Sequence, residues 1–138
     1  MATTPTNGDG GLQVRIVTPT MISYTGTVEE VQAPGVLGEF EVLPEHAPLL
    51  SVTQPGVVTL YTGTDQKRYL VGSGFAEAGP SHITLLVDLC EEVESIDKEA
   101  AQSDLAEAES QMSQCDSDSA EWATASEQAK VAQARLDA

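Results

Sequence analysis

Gly72-Ser-Gly-Phe-Ala-Glu-Ala-Gly-Pro-Ser-His-Ile-Thr-Leu-Leu-Val87 decides the fold. Gly72–Ala78 and Ser81–Val87 read as two strands folded about Gly79-Pro80, because extended apolar segments bounded by turn residues are hairpin signals. Pro80 is also the last helix breaker. All 11 Gly and all 7 Pro lie at or before it, and the 58 residues that follow contain neither. Glycine and proline punctuate local structure most strongly, so two architectures meet in one chain. Gly72-Ser73-Gly74 lacks a third glycine and a following basic residue, and it precedes strand-like residues. It therefore marks a bulge or a close backbone approach, not a dinucleotide loop.

Upstream, Val57-Val-Thr-Leu-Tyr61 and Lys67-Arg-Tyr-Leu-Val71 flank Thr62-Gly-Thr-Asp-Gln66, which predicts another hairpin with a glycine-containing loop. Leu12, Val14 and Ile16 alternate with Gln13 and Arg15, the period of a strand with one wet face. Turn signals every 8–12 residues or so favour an all-β sandwich or barrel. Residues 1–10 read as a short leader, without the charged and apolar regions of a secretory signal.

Downstream, Ala101, Leu105, Ala108, Met112 and Cys115 form one apolar stripe at helical spacing. Trp122, Ala125, Ala129, Ala132 and Leu136 form a second. Asp97 is expected to cap the first helix, and Asp118 with Glu121 to form a capping box for the second. Two helices with a tight link make an antiparallel hairpin. Stripes rich in alanine pack closely but bury little area, which predicts a hairpin easily detached from the sheet. The expected class is α+β: residues 11–90 a β-sandwich of short strands, residues 91–138 a helical hairpin.

Charge narrows the function. Six Lys+Arg against 22 Asp+Glu give a formal charge of -16. Such a chain repels nucleic-acid phosphates and anionic lipid surfaces. No apolar run is long enough to span a bilayer. Cys90 and Cys115 read as two reduced thiols, and with His46 and His82 they show no zinc-ligand spacing. Glu91, Glu92 and Glu94 read as a solvated linker, since no glycine separates them as a calcium loop requires. His46, with Glu45 or Glu41 as partner and Ser51 as nucleophile, could in principle form a triad, but no nucleophile-elbow motif appears. The residues point to an interaction protein, without a metal or cofactor. A free-standing acidic adaptor and a small hydrolase built on His46 are the alternatives.

Gly35-Val-Leu-Gly-Glu-Phe-Glu-Val-Leu-Pro-Glu-His-Ala-Pro-Leu-Leu50 is the most specific segment. It resembles the epsilon subunit of the bacterial F-type ATP synthase, the equivalent of the mitochondrial delta subunit. Val17-Thr-Pro19, Tyr24-Thr-Gly26, Pro55-Gly-Val57, Gly72-Ser-Gly-Phe75 and the acidic run into Ile96-Asp97 follow in that family's order. The resemblance implies a ten-stranded sandwich followed by a two-helix hairpin. It also implies a non-catalytic central-stalk subunit that links gamma to the c-ring and couples proton flow to ATP synthesis. The implied location is peripheral, on the cytoplasmic face of the bacterial inner membrane. Alpha and beta subunits become partners if the hairpin extends.

Carried over by position, the resemblance makes Glu39, Glu41, Leu43, Pro44, Glu45, His46 and Pro48 the expected contacts with the c-ring and gamma. Family members commonly carry glycine where this chain has Glu41 and Glu45. Members that bind ATP on the hairpin read Ile/Leu-Asp-x-x-Arg-Ala. Here Ile96 and Asp97 match but Ala100 replaces the arginine, so no nucleotide site is expected. The second helix offers only Lys130 and Arg135 as cations, which implies weak inhibition of ATP hydrolysis.

Overall fold

The computed structural model describes residues 11–138; the expected leader, residues 1–10, lies outside the described residues. Ten strands precede two helices. They are β1 Leu12–Val17, β2 Ile22–Val28, β3 Glu30–Gly35, β4 Gly38–Val42, β5 Leu49–Thr53, β6 Gly56–Thr62, β7 Asp65–Val71, β8 Gly74–Ala78, β9 His82–Val87 and β10 Cys90–Glu92. Helices α1 Lys98–Ser113 and α2 Ala120–Asp137 follow. The strands hydrogen-bond in the order β10-β7-β6-β3-β5-β8-β9-β1-β2, with β4 attached to β3. Pairing is antiparallel except between β1 and β9.

The sheet folds over its own inner face. Leu12, Val14 and Ile16 of β1 are fully buried with Ile83 and Leu85 of β9, Val31 of β3 and Val58 and Leu60 of β6. Period-two alternation, as read from β1, is what turns those side chains inward. The two ends of the strand order approach one another where Tyr24 of β2 meets Tyr69 of β7, ring centroids 5.8 Å apart. Their tilted packing is the favoured aromatic geometry.

Three local expectations are corrected. The β6–β7 loop is two residues long, because Thr62 pairs with Asp65. Gly63 at φ +59° supplies the positive backbone angle that such a turn needs at its first position. Asp118 does not cap α2. Ser119 does, its hydroxyl accepting a hydrogen bond from the Trp122 N–H at 3.1 Å. Glu91 and Glu92 are not a solvated linker but lie in β10, which pairs with β7 and spans the expected boundary at residues 90 and 91. Asp97 caps α1 as read, accepting from the Ala100 N–H at 3.1 Å.

Glycine at Gly74 serves close approach, as its sequence context suggested. A β-carbon there would run into the backbone carbonyl of Leu86. Cys90 and Cys115 are both free thiols, and burial pushes the Cys90 thiol above its ordinary pKa.

The helices pack through Ala101, Ala108, Ala125 and Ala132, all buried. Lys98, at the start of α1, donates to the carbonyls of Leu136 and Ala138 at 2.9 and 2.8 Å, so the helices run antiparallel. The ammonium also neutralises the negative end of α2. The hairpin lies against the sheet. Ser73 donates to a Glu127 carboxylate oxygen at 2.5 Å, and Arg135 reaches Glu91 of β10.

Candidate docking site

Residues 35–50 form two features at opposite ends of β4. Gly35 pairs with Gly38, leaving Val36 and Leu37 as the tip of the β3–β4 hairpin. Gly38 adopts φ +127° there, a backbone setting that favours glycine. Leu37 is 100% exposed. Glu39 stands beside this tip, opposite Pro34. Beyond Val42, the chain turns through Leu43, Pro44, Glu45 and His46, closed by the His46 N–H donating to the Leu43 carbonyl at 3.2 Å. Four strand steps carry the chain from Gly38 to Val42, about 13 Å, so Glu39 and His46 occupy opposite ends of β4.

Among the described residues Glu45 is the one non-glycine residue with positive φ, at 71°. Its N–H donates to the Pro80 carbonyl at 2.6 Å, fastening this turn to the β8–β9 connection. Glu41 lies in regular strand opposite Gln32. Of Glu41 and Glu45, only Glu45 adopts the left-handed backbone. His46 presents Nδ1 to the Ala47 carbonyl at 2.6 Å, which assigns the proton to Nδ1. No hydrogen bond joins it to Ser51, Glu41 or Glu45 among the described residues. Those side chains do not assemble a triad.

The register reveals a feature that residue spacing did not. Val52 pairs with Phe75, Phe75 with Leu86, Leu86 with Val17 and Val17 with Ile22. All five side chains face outward. Val52, Phe75, Leu86 and Ile22 are 46%, 53%, 50% and 51% exposed. They form one apolar row across five strands, lengthened at one end by Met21 and at the other by Val36, whose N–H binds the Val52 carbonyl at 3.0 Å. At about 4.8 Å per strand the central row spans about 19 Å. Contiguous exposed apolar surface of this kind marks an interaction site.

The hairpin holds no comparable surface. Ile96, Asp97 and Ala100 line a cavity of about 320 Å³ with Glu91, Asp104 and Arg135. Arg135 is already bound to Glu91 in two hydrogen bonds, at 3.0 and 2.6 Å. Its other nitrogen lies 3.8 Å from Asp104. The guanidinium of Arg135 is thus shared between two carboxylates at the edge of this cavity.

A family model described as the ATP synthase delta/epsilon chain β-sandwich domain matches residues 11–93. The ATP synthase epsilon chain of Rippkaea orientalis is 40% identical over 129 residues, covering 92% of this chain and 95% of the relative. That of Rhodospirillum rubrum is 35% identical over 127 residues, covering 91% and 94%. The chain belongs to the ATP synthase epsilon-chain family. It is accordingly a non-catalytic stalk subunit of an F-type ATP synthase. Among solved structures, a chain in the mitochondrial ATP synthase of Euglena gracilis, an assembly of OSCP, F1 and c-ring, superposes with a TM-score of 0.80. It is 17% identical, with 91% of this chain and 79% of that one covered, and shares the fold. No helix among the described residues is long and apolar enough to cross a membrane.

Proposed function

We propose that the chain is the foot of the rotor, binding gamma through its outward apolar row and meeting the c-ring at the β3–β4 tip. The row carries this reading: a stalk subunit that performs no chemistry must couple by being held, and apolar burial supplies the area. Rim ion pairs alone contribute little. Glu39, beside Leu37, offers a carboxylate to cationic loops of the ring. Leu43, Pro44, Glu45, His46 and Pro48 form the second contact, at the other end of β4, with Glu41 on the strand between. Pro44 and Pro48 pre-set their backbone and lower the entropy lost on docking. On this reading residues 11–90 bind and residues 91–138 regulate, from the cytoplasmic face of a bacterial inner membrane, where gamma, alpha and beta lie within reach.

The hairpin's part is small. Its folded-back position is held by Arg135, one of the two cations, with Lys130, that an inhibitory contact would need. Net negative charge on the hairpin opposes approach to an acidic loop of the beta subunit. ATP sensing is absent, for lack of an arginine at Ala100.

Purification of the synthase tests the reading. With Phe75→Ser and Leu86→Ser combined, the chain should be lost from the complex while remaining folded alone. Retention of the doubly substituted chain at full stoichiometry would refute docking through the row.

A further inference from the structure

The apolar row has a polar neighbour on the same face. Leu50 pairs with Glu77, Glu77 with Thr84, Thr84 with Arg15 and Arg15 with Thr25. Residues two apart on a strand are about 6.8 Å apart, so the second row runs directly beside the first. Arg15 is its cation. It is exposed, and among the described residues no carboxylate lies within ion-pair distance of it. Threonines flank it on both neighbouring strands. Glu77, the acid of this row, is engaged elsewhere, 3.5 Å from Nε2 of His82. A cleft of about 440 Å³ opens beside Arg15, lined also by Gln13, Thr27 and Ser81.

We infer that the gamma surface docking here carries an apolar ridge with a carboxylate set to one side of it, and that this carboxylate seats on Arg15. The inference rests on the docking role of the apolar row. Guanidinium keeps its charge at any working pH and takes a carboxylate bidentately, which adds direction to charge. The division of labour follows from the two rows. Apolar side chains of similar size accept a ridge at several positions along the row, whereas one cation accepts an acid at one position. A slip of two strands in one direction sets the incoming carboxylate against Glu77, and like charges in contact repel. Arg15 therefore fixes the register of a contact whose area comes from Phe75 and Leu86. On a chain of formal charge -16, the same residue also gives an acidic approach an attractive spot on this face.

Titration calorimetry of the full chain against an alpha–beta–gamma core complex stripped of this subunit provides the test. Arg15→Glu should weaken binding about tenfold or more, Arg15→Lys less than threefold, and melting temperatures should not change, since Arg15 is exposed. Reversal of one gamma carboxylate to lysine should restore the affinity of Arg15→Glu. Wild-type affinity for Arg15→Glu, or failure of every such reversal to rescue it, overturns the inference. A parallel Phe75→Ser arm separates the two ideas. If that variant binds weakly while Arg15→Glu binds normally, the apolar row docks and Arg15 sets nothing. If Phe75→Ser binds normally, the docking role of the row fails first.

Discussion

Arg135 near the end of α2 grips Glu91 of β10 through two parallel hydrogen bonds, at 3.0 and 2.6 Å. This pair ties the helical hairpin to the sheet across 44 residues of sequence. Burial behind it is slight, because the only buried residues of α1 and α2 are four alanines. Arg135→Ala should therefore loosen the hairpin without unfolding the sandwich. Loss of about 1–2 kcal/mol would raise the undocked population roughly 5- to 30-fold. Hydrogen exchange should quicken across residues 98–137 and stay slow in β1, β6 and β9.

Glu45 stores backbone strain. A residue with a β-carbon at φ 71° costs about 1 kcal/mol or more, and glycine does not. Glu45→Gly should raise the melting temperature by about 4 °C. Glu45→Val should lower it by at least as much, since branching at the β-carbon worsens the same clash.

Gly74→Ala should be the most damaging single methyl group in the sheet. The added carbon meets backbone at Leu86, which only separation of β8 from β9 can relieve. A cost above about 2 kcal/mol is expected in denaturant titration. Gly63→Ala is the control. Its site is open, and its cost of about 1 kcal/mol comes from φ +59° alone.

Glu30 should make stability fall with rising pH. Its carboxyl is pushed above the ordinary carboxylate range, first by loss of hydration and then by the charge and hydrogen bond of Glu41. A group whose folded pKa is raised favours the native state below its unfolded value, and that contribution is lost as pH rises through the folded value. Glu41→Gln removes the repulsion, so the variant should melt slightly higher at pH 7, by under about 2 °C for so exposed a pair. The difference from the parent should vanish near pH 4.

Removal of residues 94–138, which leaves β10 intact, should change ATP hydrolysis by the assembled complex less than about twofold. The comparison is steady-state hydrolysis with and without the segment. A severalfold rise would mean that this hairpin inhibits despite its charge.

Much of this is legible in the sequence. Alternation in Leu12–Ile16 gave a strand, the absence of Gly and Pro after Pro80 gave the helices, and Asp97 gave a true cap. What escaped depends on partners distant in sequence. Glu91 and Glu92 have no apolar alternation, and only pairing with β7 makes them a strand. Ser119 outcompeted Asp118 because cap choice follows backbone angles, which neither residue's identity sets. The outward row was invisible because Val17, Ile22, Val52, Phe75 and Leu86 share no spacing; register alone aligns them. Equally, Glu39 and His46 are close in sequence but set apart by an intervening strand.

The row crosses its five strands at right angles, and this has a mechanical consequence. A load applied to it along the strands is resisted in shear by whole ladders of hydrogen bonds acting together. The same load turned through a quarter circle would unzip one strand at a time, starting at the free edge of β2. A rotor that drags this subunit tangentially is best served by strands lying along the direction of travel, and pulling on single molecules along and across β1 would measure the difference.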